Sequence, residues 1–221
     1  MAAAMPATAQ TPKTEGEAVE AVTDALQARK VRFFNGAGVG IDLVGPVMKV
    51  AGSDWSQLEV LARINLLDKY FPIVELGLGS ADHEGREIDN HFSVRAPYFR
   101  VGADYNFNKK HNGNRLFLGL RYGFSAYDYN LDSPVPLEDP VWHEKQELSL
   151  HDLHGSSHFA EIVIGLETKL WKIVRLGWDV RFKFLLKQNS AENGDPWYIP
   201  GYGKNSSTLT WGGSFKLLFD I

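Results

Sequence analysis

The chain has no cysteine, which removes disulfides and thiolate metal sites from consideration. It has no apolar run approaching the ~18 residues of a transmembrane helix, which argues against a helical membrane protein. It has no excess of positive charge. Lys and Arg number 23 against 27 Asp and Glu, for a net charge of −4 and a pI near 6.0, and nothing recommends a nucleic-acid partner. The mean hydropathy of −0.23, with 44% hydrophobic residues, resembles that of a water-soluble domain. Such averages do not exclude a β-barrel in a membrane, whose strands are apolar at only every second position. The 221 residues suffice for one barrel.

What the chain does have is alternation. Residues 174 to 184 place Val174, Leu176, Trp178, Val180, Phe182 and Phe184 on one face of an extended strand, and Arg175, Gly177, Asp179, Arg181 and Lys183 on the other. One face suits oil, and the other needs water or paired charge. The same period predicts eight strands, at about 31–44, 56–67, 72–80, 98–108, 115–127, 158–168, 174–184 and 208–221. Pro97 is expected at the start of the fourth strand or at a bulge. Connections after the second, fourth and sixth strands are short, while the others are longer and polar. The longest runs from about Asp128 to Ser157. Short turns on one rim and long loops on the other are how outer-membrane barrels are built. A soluble lipocalin-like barrel also alternates, with its apolar side inside. Two features weigh against it: glycines crowd the polar face, and aromatics (Phe33, Tyr105, Phe107, Trp211, Phe219) cluster near strand ends on the apolar face.

The expected fold is therefore all-β, an eight-stranded antiparallel up-and-down transmembrane β-barrel of the outer-membrane type over residues 31–221. Residues 1–30 are expected to be a truncated signal remnant and a flexible periplasmic segment, since they are Ala-rich but lack a basic start and a full apolar stretch. The expected location is the outer membrane of a Gram-negative bacterium, with the long loops extracellular and the termini periplasmic. The last strand runs into the chain end with Phe219 and Ile221 on its apolar face, where outer-membrane proteins carry their assembly signal.

The stretches Gly38–Pro46 (GVGIDLVGP), Tyr98–Asn106 (YFRVGADYN), Gly119–Ser125 (GLRYGFS) and Tyr198–Gly203 (YIPGYG) resemble a Bacteroidota family of small outer-membrane barrels known as a domain of unknown function. The similarity spans roughly residues 33 to 221. It implies fold and location, and brings no catalytic residues with it.

Parity places Asp42, Glu59, Glu75, Asp104, Glu161, Glu167, Asp179 and Asp220 inside, with Arg63, Arg100, Arg121, Arg175, Arg181, Lys183 and Lys216. Near-balance of sign argues for an interior ionic network that fills and shapes the lumen. A selective pore favours rings of one sign, and eight strands leave an interior just filled by side chains. In the longest connection His151, His154 and His158 invite a metal reading, but their spacing matches no zinc signature, and no metal or cofactor is expected. His154, Ser156, Ser157 and His158 near Glu161 invite comparison with outer-membrane lipid hydrolases, yet Glu161 points inward by parity and His158 outward, so a clean triad would need irregular backbone. Trp142, Trp197, Tyr198 and Tyr202 in the two longest loops are the expected partner-binding anchors; folding of the last loop over the barrel mouth is the other reading. The functional expectation is a non-enzymatic scaffold or interaction subunit of an outer-membrane complex, with barrel-assembly machinery as one candidate. It would sit among outer-membrane lipid and lipopolysaccharide and bind other outer-membrane proteins or surface lipoproteins. The alternatives are a lipid-modifying hydrolase and a small pore.

Overall fold

A computed structural model describes residues 32–85, 91–108, 113–138, 145–191 and 194–221. In chain order the elements are β1 (Phe34–Asp42), α1 (Val44–Val50), β2 (Trp55–Leu66), β3 (Tyr70–Glu84), β4 (His91–Asn106), β5 (Arg115–Glu138), β6 (Lys145–Lys169), β7 (Val174–Asn189), β8 (Tyr198–Ile199), β9 (Gly203–Lys204) and β10 (Leu209–Asp220). Eight of the strands close into an antiparallel barrel in the order β1-β10-β7-β6-β5-β4-β3-β2, and β8 pairs with β9 as a separate two-stranded ribbon. Followed from Asp42 through β2, β3, β4 and β5, the ladder reaches Ser157 on β6; followed through β10 and β7, it reaches Glu167. That ten-residue stagger tilts the strands, as closure of a barrel requires.

The alternation read from the sequence sets the two faces. Leu58, Val60, Val74, Leu76, Val101, Leu120, Ile164, Val180 and Phe182 are exposed on the outer wall, and Glu59, Arg63, Glu75, Arg100, Arg121, Glu161 and Arg181 are buried inside. At the strand ends Phe107, Trp171 and Trp211 stand exposed on the outside, as aromatic girdles do. A soluble barrel shows the reverse sidedness.

Four local expectations are corrected. The segment 128–157 is no open loop: β5 and β6 run on together as one long hairpin, paired from Arg115↔Glu167 to Glu138↔Lys145. Above the lipid-facing belt the inward residues described on this hairpin are apolar, with Tyr127, Tyr129 and Phe159 buried. β4 begins at His91, and Pro97 lies inside it, in unbroken register with Leu78 of β3; its missing N–H is tolerated there because the β4–β5 ladder skips residues 95 to 97. The first strand stops at Asp42, and the chain turns into α1. Pro46 falls in the first helical turn, where no N–H is needed, and Gly52 at φ +84° closes the far end. Lastly, β3 and β7 run beyond their expected ends, to Glu84 and Asn189.

Candidate functional site

The lumen has two layers. The middle one is ionic and centred on Glu75. Its carboxylate takes Arg100 at 2.8 Å, Arg181 at 3.0 and 3.2 Å, Lys216 at 3.4 Å and Arg121 at 3.5 Å. Arg100 also reaches Glu59 at 2.9 Å and Glu161 at 3.3 Å. Arg181 bonds Asp179 at 3.0 Å, Lys216 bonds Asp179 at 2.8 Å, and Arg121 bonds Asp104 at 2.8 and 2.9 Å. Lys183 lies 3.9 Å from Glu161 at the top of the layer. Five acids (Glu59, Glu75, Asp104, Glu161, Asp179) thus face five bases (Arg100, Arg121, Arg181, Lys183, Lys216), all buried and all at positions that parity points inward. Buried charge is stable only when paired in this way.

Toward the short-turn mouth a second cluster joins Arg63 to Glu167 at 2.9 Å and to Asp220 at 3.2 Å, and brings Arg175 onto Asp220 and the Gly113 carbonyl. Arg115 completes it, at 3.3 Å from Glu167 and 3.2 Å from Asp220. Sequence reasoning missed Arg115, although parity with Arg121 on the same strand would have found it. Asp42 is corrected: it makes no ion pair among the described residues. Its carboxylate accepts the N–H groups of Val44 at 3.0 Å and Phe215 at 3.2 Å, so its role is to end β1.

The upper layer is aromatic. Residues 194–207 fold into the long-loop mouth, so that Tyr198, Ile199 and Tyr202 are buried with Phe92, Tyr127, Tyr129 and Phe159. Lys183 ties this plug down, donating to the carbonyls of Gly201 at 2.8 Å and Tyr202 at 3.0 Å. Gln57 donates to the Tyr198 hydroxyl at 2.6 Å. Gly201, at φ +82°, lies against the Tyr98 ring, where a Cβ would meet ring carbon at 2.7 Å. Burial pushes the Tyr198 and Tyr202 hydroxyls above the usual phenol range, and both stay neutral. Tyr198 and Tyr202 are thereby corrected as anchors for an outside partner: the mouth-covering reading holds, because an apolar upper lumen takes their rings. Trp197 is half-buried, stacked on His83 with centroids 4.0 Å apart. Trp142 lies outside the described residues.

Glycine makes room for these rings. A Cβ on Gly77 would sit 2.1 Å from the Tyr98 ring, whose hydroxyl donates to Glu59 at 2.8 Å.

The residues considered for chemistry are dispersed. Ser157 is buried inside and bonded to Tyr127 at 2.9 Å, and Glu161 belongs to the ionic layer. Ser156 faces out and accepts from Asn189 at 3.2 Å; His154 pairs with Asp128, His151 with Asp132 at 3.4 Å, and His158 with the Tyr122 hydroxyl at 2.6 Å. The three histidines thus take three separate partners. Among the cavities, one of about 180 Å³ opens at the short-turn mouth beside Arg63, Arg115 and Arg175, and a groove of about 750 Å³ runs along the outer wall between α1 and β5.

Residues 1–221 match the family described as a domain of unknown function, DUF6048, and the chain belongs to that family. No curated protein matches it. Among solved structures it is similar to a major outer membrane protein from Thermus thermophilus, at 15% identity over 85% of this chain and 100% of that one, with a TM-score of 0.43. It is also similar to Acinetobacter baumannii CarO2, at 12% identity over 86% and 99% with a TM-score of 0.40, and to CarO of the same organism, at 10% over 84% and 96% with a TM-score of 0.37. At that level no residue correspondence and no activity carries over.

Proposed function

We propose that this DUF6048 barrel is an integral outer-membrane protein, with its long hairpins outside and its termini periplasmic, that works as a non-enzymatic scaffold or interaction subunit of an outer-membrane protein complex. The observation that carries the reading is the filled lumen. Paired charges occupy its middle and an aromatic plug its upper end, so a solute finds room only in the small cavity at the short-turn mouth, and the outside surfaces are left to do the work. Loops and hairpins mounted on a rigid barrel suit recognition. Other outer-membrane proteins and surface lipoproteins are the partners this favours, with barrel-assembly machinery as one assembly such a subunit could serve.

The test is purification from native membranes in mild detergent at native expression. A stoichiometric partner is expected to travel with the barrel. A barrel that elutes alone, folded and at full yield, refutes the reading. A lipid-modifying hydrolase would have to rest on Ser156, His154 and Asp128 on the outer wall, where the His–Asp contact is made but Ser156 bonds Asn189. Ser156→Ala and His154→Ala are expected to leave the membrane lipid profile unchanged, and an altered profile with partner binding intact would favour that alternative.

A further inference from the structure

Among the described residues the upper part of the barrel wall is unpaired between β10 and β2, where β1 ends. β1 pairs with β10 only from Gly38↔Asp220 to Asp42↔Lys216. Beyond that, the Leu43 N–H donates to the Phe215 carbonyl at 2.8 Å, and Asp42 accepts the Phe215 N–H. Successive residues of a strand present their backbone groups to opposite edges. Phe215 faces β1, so Gly213 and Trp211 face the same side. Among the described residues no hydrogen bond reaches the N–H or C=O of Trp211 or Gly213 from that side. The opposite edge of β10 is paired with β7 from Leu209 to Phe219. Across the gap, β2 continues up to Trp55. α1 stands beside β2, with Gly45 pressed so close to the Gln57 carbonyl that no Cβ would fit; it packs chiefly on β2 and touches β10 more lightly, and Trp211 and Gly213 stay exposed.

This edge runs from the aromatic girdle at Trp211 down into the lipid-facing belt, where Gly213 lies opposite Val180. Trp211 is opposite Phe182 and Leu209 opposite Phe184, all four exposed on the outer wall along with Val47 and Val50 of α1. Hydrocarbon cannot satisfy backbone N–H and C=O groups, which is why open sheet edges do not face it. An acyl chain supplies neither donor nor acceptor, and lipid esters supply acceptors only. An extended polypeptide supplies both, at the spacing the edge presents. Gly212 and Gly213 leave its approach clear of side chains, and Trp211 offers a large contact beside it.

We infer that the upper β10 edge, Leu209 to Gly213, docks an extended strand from a different membrane protein. The inference rests on the interaction-subunit reading and gives that reading a place. A proline at 213 removes only a donor on the open edge, whereas a proline at 212 removes one bonded to β7. Gly213→Pro should therefore yield a folded, heat-stable barrel that retains less than a tenth of its co-purifying partner, and Gly212→Pro should impair folding. Photo-crosslinking residues placed singly at Leu209 and Trp211 in otherwise wild-type protein should join one discrete polypeptide, and one at Leu120 on the far wall should not. A folded Gly213→Pro barrel with its partner intact overturns the inference, as do seam crosslinks confined to lipid or to a second copy of this chain. If wild type carries no partner at all, the interaction-subunit reading itself fails. If wild type carries one that Gly213→Pro does not release, only the docking edge fails.

Discussion

Glu75 offers the sharpest test of the ionic layer, because four cations converge on one fully buried carboxylate. Glu75→Gln keeps the volume and removes the charge. It leaves four acids among five bases in the middle lumen, with Arg121 and Lys216 each reduced to a single acid, Asp104 and Asp179. Removing one partner of a buried pair costs about 3–5 kcal/mol, because the charge left behind has lost its compensation without regaining water. Arg100 and Arg181 keep Glu59 and Glu161, so the lower part of that range is expected. The measurement is reversible urea unfolding in detergent or lipid, followed by the mobility shift between folded and unfolded barrel. Asp54→Asn is the control: its exposed pair with His83 is worth about 0–1 kcal/mol. Adding Lys216→Met to Glu75→Gln restores the balance of sign and should recover at least half the loss. A Glu75→Gln barrel within about 1 kcal/mol of wild type, where the cost was set at 3–5, would show that the layer fills space without depending on its pairing.

Gly77→Ala forces a Cβ into the Tyr98 ring and should cost about 1–3 kcal/mol as an overpacked core; Tyr98→Leu added to it should return part of that loss in the same unfolding assay. Val180→Arg or Ile164→Arg, on the exposed apolar belt, should cost roughly 2–4 kcal/mol and reduce the folded, inserted fraction. Ser206→Arg, in the exposed end of the plug loop, should not, and equal behaviour of the three would mean that the faces are misassigned. In planar bilayers neither the intact protein nor one lacking residues 194–207 should give steady, sized conductance steps, because the ionic layer lies below the plug; steps from the shortened protein alone would make the plug, and not the charges, the barrier.

How much of this was legible in the chain depends on which rule governs each part. Strand parity is a local property with period two, so Val174 to Phe184 announced both the outer belt and the inner charges, and every interior acid and base named from it is buried inside except Asp42, which ends a strand, and Asp220, which is half-buried at the short-turn mouth. Asp42 had the right parity and a different task, because the choice between pairing a cation and ending a strand is made by the next four residues, Leu43-Val-Gly-Pro46. Tyr198 and Tyr202 were visible as an aromatic, glycine-rich turn. Whether such a turn points out or folds in depends on the space left above Lys183, which is a tertiary fact. The early end of β1 was equally hidden: Val44 and Val47 would serve a strand as well as a helix, and Pro46, which suits the first turn of α1 and not a strand interior, decides it.

The places where sequence reasoning stopped share a cause, and it bears on where the membrane ends. On β5 the outward residues are Leu116, Leu118, Leu120, Tyr122 and Phe124, and then Asp128 and Asp132; the inward ones change from Arg121 to Tyr127 and Tyr129 over the same distance. On β4 the outward Val101 and Phe99 give way to Arg95 and Ser93, and the inward Arg100 to Val94 and Phe92. On β6 the outward Ile164 and Ile162 give way to Ser156 and His154. Apolar-out, charged-in becomes polar-out, apolar-in within one continuous strand, with no change of parity. Hydrocarbon outside demands the first arrangement and water outside demands the second, so the level of the inversion, near Phe124, Pro97 and His158, is the upper boundary of the lipid. Above it the molecule is built as a soluble barrel with an aromatic core, and exposed His–Asp pairs stand on its outer wall at His91, His151 and His154. The open stretch of β10 crosses that level: Trp211 stands in the girdle, and Gly213 lies below it, opposite Val180 in the lipid-facing belt.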